Sequence, residues 1–283
     1  ARYQGQVSTY RATIPLGAVI KALPAEKNLI DTAVFGKLKL LGIPASPVAD
    51  DATFLRRVYV DVSGALPSAE EAAKFLADKD PKKRDKVIDR LLESPEYADY
   101  FTNKWNMVLR NKKRGSDDTG STYAFYRWIW NRLYSNKPYD EFVREIIAAS
   151  GQWTESPGVV WFREVDQVNE QVEDTAQLFL GLRIQCARCH HHPFEVWSQD
   201  DFFGFASFFS RIGHHGGLSP PISGGEELIF AKAGGELKHG RTAEVVSPKT
   251  LDGSPLTLGP DDEPREVLMD WMTAEHNPYF AKV

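Results

Sequence analysis

Cysteine is nearly absent from this chain of 283 residues: there are two, three positions apart, so a secreted disulfide framework is excluded and whatever the pair does, it does together. Long apolar runs are missing too. No stretch approaches the ~20 residues that a membrane-spanning helix needs. Basic charge is not in excess: the formal net charge is -5, which argues against non-specific nucleic-acid binding. Residues 1–20 lack the charged start, apolar middle and small-residue cleavage site of a signal peptide. The chain therefore reads either as cytoplasmic or as a mature or excised piece of something larger. Nucleophile elbow, P-loop and dinucleotide fingerprint are all absent, as are internal repeats and low-complexity tracts.

What is present is an ordinary soluble composition, 42% hydrophobic and 26% charged, over a length that can bury a sizeable core. Residues 2–14 alternate and are rich in Val, Tyr and Thr, so residues 1–18 read as strands, the tail of a β domain. From residue 28 the period becomes helical. Ile30, Val34, Leu38 and Leu41 share a face, and Gly42 and Pro44 end that helix. Asp50 and Asp51 cap the next, with Phe54, Leu55, Val58 and Val62 on its inner side. Ser68-Ala69-Glu70-Glu71 is a capping box. Ser94-Pro95-Glu96 opens another helix, which ends near Arg110. Residues 122–134 form an aromatic helix expected to be largely buried, and Pro138 starts one that reaches about Ala149. A helix from about Asn169 to Leu182 leads into the cysteines, and Ser198 caps an aromatic helix to about Ile212. Residues 213–263, rich in Gly, Pro and Ser, read as a loop-rich insert with a small hairpin. Residues 264–274 return to helix. The fold class is mainly α: a multi-helix domain over 28–212, a small β/loop insert near the C-terminal end, and an N-terminal strand remnant.

The chemistry concentrates in Gln185-Cys186-Ala187-Arg188-Cys189-His190-His191-His192-Pro193-Phe194. Cys-x-x-Cys-His is the attachment signature of c-type haem. Two thiols add to the two vinyl groups on one edge of the porphyrin, and the next residue is placed to put an imidazole on the iron. On this reading Cys186 and Cys189 bind the cofactor and His190 is the proximal ligand. Three other readings stay open. A zinc site would use Cys186, Cys189 and two histidines. A redox dithiol expects a strand and a βαβ setting, whereas a helix leads in here. The plainest alternative is two buried, inert cysteines beside a polar turn. For a ligand on the far side of the iron, His191 and His192 are poor choices, because consecutive Cα atoms are only ~3.8 Å apart. His192, beside Pro193, reads as a turn holder. His214, His215, His239 and His276 remain, with Met107, Met269 and Met272; the methionines lie on apolar helical faces and read as core. The insert is long enough to fold over a haem and holds His214, His215 and His239.

Several blocks resemble the large planctomycete-type c cytochromes, whose central region is catalogued as a domain of unknown function. They are Phe54-Leu55-Arg56-Arg57-Val58-Tyr59-Val60-Asp61 with Gly64-Ala65-Leu66-Pro67, Asp89 to Tyr97, Lys137 to Arg144, Gln171 to Gln177, the Cys-x-x-Cys-His with His192-Pro193-Phe194, and Trp197 to Phe202. The likeness covers residues 28 to 212. It implies one covalent haem c and a place outside the cytoplasm, periplasmic or at the cell surface. It also implies an immunoglobulin-like origin for 1–18, and for 264–283 the start of a following helical domain in a longer chain. Gly235-Glu236-Leu237-Lys238-His239 is similar to a Gly-Glu-x-x-His piece of relatives, which favours His239 as distal ligand, ahead of His214, His215 and His192; Gly240 stands where relatives have Pro. Electron transfer to a redox partner protein is the leading function. The alternatives are a haem enzyme, peroxidase-like or oxidative with an open distal side, and a structural module of a cell-surface assembly. The reading includes no nucleic acid and no membrane span.

Overall fold

In a computed structural model the chain is mainly α-helical, and four helices start at the capping residues Asp50, Ser68, Ser94 and Ser198. Described are residues 2–3, 6–7, 12–20, 22–113, 115, 118–215, 228–232, 234–253, 256, 258–259 and 262–280. Strands β1 (Arg2–Tyr3) and β2 (Gln6–Val7) pair antiparallel. Helix α1 (Leu29–Leu41) is capped by the Asn28 side chain and closed by Gly42 in the left-handed region, at φ 67°. The face of Ile30, Val34, Leu38 and Leu41 does not enter a core: α1 has no buried residue, and Ile30 and Val34 are exposed. An apolar stripe gives a helix a sticky side but does not by itself supply the neighbour.

A small cluster follows. Asp50 caps α2 (Asp51–Ser63), the Ser68–Glu71 capping box starts α3 (Ala69–Ala77), and α4 (Lys83–Leu92) completes it. Leu55, Tyr59, Phe75, Val87 and Leu91 are buried between them, with Phe54, Val58 and Val62 at the margin. Ser94 and Pro95 start α5 (Pro95–Val108), which packs on α2 and on α6 (Thr119–Tyr134). The aromatic helix α6 is only half sunk. Phe125, Trp128 and Ile129 are buried, while Tyr123 and Tyr134 stay exposed, because a 3.6-residue period cannot turn every side chain inward.

The larger core gathers around α7 (Tyr139–Ile147), α8 (Trp161–Glu164), α9 (Val168–Phe179), α10 (Gln199–Ala206) and α11 (Pro264–Thr273). Phe142, Ile146, Trp161, Phe162, Phe179, Phe202, Phe205 and Phe208 fill it, and Leu268, Met269 and Met272 of α11 lie in the same cluster. Met269 and Met272 are thus core, as expected. Met107 is not: at the end of α5 it is 80% exposed. The chain after α10 makes strands rather than more helix. Strand β3 (Gly151–Gln152) and β4 (Ile212–His215) flank β5 (Leu228–Ala231) in an antiparallel sheet. The small hairpin pairs β6 (Leu237–Lys238) with β7 (Val245–Val246). Its Val246 carbonyl accepts from Ser207 Oγ at 2.8 Å, which docks the hairpin on the turn after α10. No helix among the described residues is long and apolar enough to cross a membrane.

Candidate functional site

Helix α9 stops at Phe179, and Gly181 at φ 65° redirects the chain while Leu182 N–H returns to the Ala176 carbonyl. Ile184 and Ala187 are buried and anchor one turn of 3-10 helix, Gln185–Arg188. Cys186 lies within this turn and Cys189 caps its end, at φ -107°; both thiols are free and exposed. The Cys186 carbonyl faces the N–H groups of Cys189 at 3.4 Å and His190 at 3.3 Å, so the bridge is curled tightly.

His190 is exposed, with Nδ1 2.7 Å from the His191 carbonyl oxygen. A carbonyl only accepts, so Nδ1 carries the proton and Nε2 keeps its lone pair. His192 has the opposite arrangement. It is buried, and its Nδ1 accepts from Phe194 N–H at 3.2 Å and Glu195 N–H at 2.9 Å, while its own N–H reaches the Trp197 carbonyl. His192 thus holds the loop that leads to the Ser198 cap of α10. Gln199 Nε2 donates back to the Arg188 carbonyl at 3.1 Å, tying α10 to the cysteine turn.

The hairpin brings a second segment to the same place. His239 Nδ1 accepts from Arg241 N–H at 3.2 Å and Thr242 N–H at 3.3 Å. Its buried ring lies 4.7 Å from that of Phe203. Nε2 makes no hydrogen bond among the described residues, although Asp200 Oδ1 is 3.3 Å away. A cleft of about 530 Å³ is lined by Asn169, Arg188, Cys189, Gln199 and Phe203 together with Gly240 and Arg241 of the hairpin loop. Glu173 on α9 is held above the ordinary carboxylate range by burial, against the pull of the Arg188 charge. Asp174 is likewise raised by burial, against its bond from Arg110 at 2.7 Å.

The other histidines are elsewhere. His214 sits in β4 with its ring edge-on to Phe162 at 6.5 Å, in a different cleft with Asp166 and Gln171, and burial lowers its pKa. The backbone of His215 pairs in β4, but its side chain is outside the described residues. His276 is exposed beyond α11. Among the described residues no three His, Cys, Asp or Glu side chains gather as a metal-ion site. Arg188, Gln199, Phe203 and Arg241 had not been picked out by sequence reasoning as site residues. Gln199 stands in the Trp197 block and Arg241 two places after His239, so proximity to those motifs was the available signal.

The described geometry offers two exposed thiols three positions apart and one exposed imidazole whose Nδ1 faces a backbone carbonyl. A zinc shell could not use His192 without breaking the bonds its Nδ1 accepts from backbone. Against known proteins, one family model matches, over residues 29–214: PSCyt2, described as a protein of unknown function (DUF1549). No curated protein and no solved structure matches the chain.

Proposed function

This chain belongs to the PSCyt2 family of proteins of unknown function (DUF1549), and on that premise we propose that it carries one covalent haem c and transfers electrons outside the cytoplasm. The family's short name points toward a cytochrome. The observation that carries the reading is local. Cys186 stands in one 3-10 turn and Cys189 caps it, both thiols exposed, and the next residue, His190, has its Nδ1 2.7 Å from a backbone carbonyl. Such a second bond on a ligating histidine fixes tautomer and ring orientation.

Cys186 and Cys189 would hold the porphyrin by thioethers, and His190 would be the iron's proximal ligand. When bound, haem supplies a one-electron ferric–ferrous couple, tuned by axial ligand, burial and nearby charge. The chain's own part is to hold the turn rigid through Ile184, Ala187 and the Gln199–Arg188 bond, and to cover part of the site with the hairpin. His239 is the proposed distal ligand because its loop lines the cleft that Cys189 borders. One observation favours a second reading, a haem enzyme with an open side. With Nδ1 accepting two backbone N–H bonds, His239 Nε2 carries the proton, and the ring must give up those bonds to bind a metal.

The test is attachment. Protein matured with a cytochrome c assembly system is run on a haem-stained denaturing gel. Wild type should stain with one haem per chain, and Cys186→Ala or Cys189→Ala should weaken or abolish the stain. Wild type without covalent haem but with stoichiometric zinc would overturn the reading in favour of the zinc site.

A further inference from the structure

Helix α1 buries none of its residues. Asp31, Phe35 and Leu38 share one side of it and are half-buried. The Leu16 N–H donates to the Leu41 carbonyl at 2.8 Å, so residues 16–18 cross the C-terminal end of the helix, against Gly42. At ~100° per residue the opposite side carries Leu29, Ala33, Gly36 and Leu40, within about 60° of arc. All four are exposed, Leu29 by 82% and Leu40 by 55%. Ile30 and Val34 border this stripe and are exposed too. A Cβ added to Gly36 would meet nothing within 4 Å. Glycine is a poor helix former, and no described residue fills the space it leaves.

The steps along the stripe are four, three and four residues, the alternation of a coiled-coil seam. The stripe also reads the same in both directions: large, small, small, large. Set antiparallel against a second copy, Leu29 meets the partner's Leu40 and Ala33 meets the partner's Gly36, and each contact is made twice. A two-fold interface requires this self-complementarity, residue i against j and j against i. Small residues at its centre let the two helix axes come close. The charges agree with that direction. The first turn holds Asp31, with Glu26 ahead of it, and the last part of the helix holds Lys37 and Lys39. Antiparallel copies lay the acidic start of one helix beside the basic end of the other, whereas parallel copies would set like charges together.

We infer that two copies of this chain pair through α1, antiparallel, about a two-fold axis level with the Val34–Phe35 peptide. The pairing is independent of the haem reading. One helix of 13 residues from each copy makes a small interface, so the dimer is weak and forms with concentration.

Sedimentation equilibrium of the full chain tests this, in reductant so that Cys186 and Cys189 cannot link copies. The mass should rise from one chain toward two as the concentration goes from micromolar to hundreds of micromolar. Leu29→Glu and Leu40→Lys, each alone, should raise the dissociation constant about tenfold or more, since each removes two Leu–Leu contacts per dimer. Both substitutions suit the helix itself, an acid in the first turn and a base in the last, so weaker pairing cannot come from a lost helix; far-UV circular dichroism checks this. Leu29→Glu combined with Leu40→Lys should recover part of the loss in a salt-sensitive way, because antiparallel pairing sets the new carboxylate of one copy against the new ammonium of the other. Leu92→Glu, at a similarly exposed apolar site on α4, should change nothing. A wild type that stays monomeric throughout, or a dimer that Leu29→Glu leaves unchanged, overturns the pairing. A double variant no tighter than either single one overturns the antiparallel register.

Discussion

His192 and His239 show how little a residue's identity says about its role. Each accepts two backbone N–H bonds at Nδ1, from residues two and three places on, and each is buried. The difference lies in what surrounds Nε2 and which cleft the loop lines. His192→Ala should leave two N–H groups of the 192–195 loop without acceptors, at a cost of about 1–3 kcal/mol in urea denaturation, and should not alter the spectrum of the proposed haem. In protein matured with the proposed haem, His239→Ala is expected to convert a low-spin ferric spectrum to high-spin and open the reduced iron to carbon monoxide. A His239→Ala spectrum identical to wild type would remove the distal assignment, and a wild type already high-spin would favour the open-sided enzyme reading.

Between elements, one carboxylate touches all three helices of the α2–α3–α4 cluster. Glu71 closes the capping box on Ser68, accepts from Tyr59 Oη at 2.7 Å and pairs with Arg90 at 3.1 Å. Those bonds, the Ser68 backbone N–H first, lower its pKa from 4.5 to about 2. The unfolded chain takes up this proton near pH 4.5 and the folded one only near pH 2. The contribution is therefore complete above pH 4.5 and is lost as pH falls through about 2. Glu71→Gln should flatten the acid limb of a stability–pH profile between those values; an unchanged limb would mean that other carboxylates dominate it. The starts of α2, α3 and α5 were legible because a cap needs only a local Asp or Ser and a free N–H two or three residues on. The fate of the α1 face was not, since burial requires a partner helix that no local pattern names.

At the scale of the whole molecule, Arg265 joins segments far apart in sequence. Its fully buried guanidinium donates to the Ala149 carbonyl at 2.7 Å, pairs with Glu263 at 2.8 Å and lies over the Phe162 ring at 5.4 Å. It satisfies carbonyls at the end of α7 from the start of α11. Arg265→Leu should leave those acceptors and Glu263 without their donor and cost about 3 kcal/mol, read as a lower urea midpoint. A midpoint within error of wild type would show that Arg265 adds nothing to the docking of α11 beyond its apolar side and its Arg144 ion pairs.

The sequence by itself determined the helical class, most helix starts and the cysteine turn, because capping, 3.6-residue periodicity and the Cys-x-x-Cys-His spacing act over a few residues. It also singled out His239 through the segment that precedes it. The meeting of that loop with Cys189 could not be read in this way. It depends on β6–β7 docking through Ser207 and on Gly240 lying against Phe203, contacts between segments well separated along the chain. Tertiary structure alone decided that His214 falls in another cleft, that Met107 points to solvent, and that Arg241 lines the same cleft as Cys189. Each of these is fixed by which surfaces pack together, and a local period records only which side of an element is apolar.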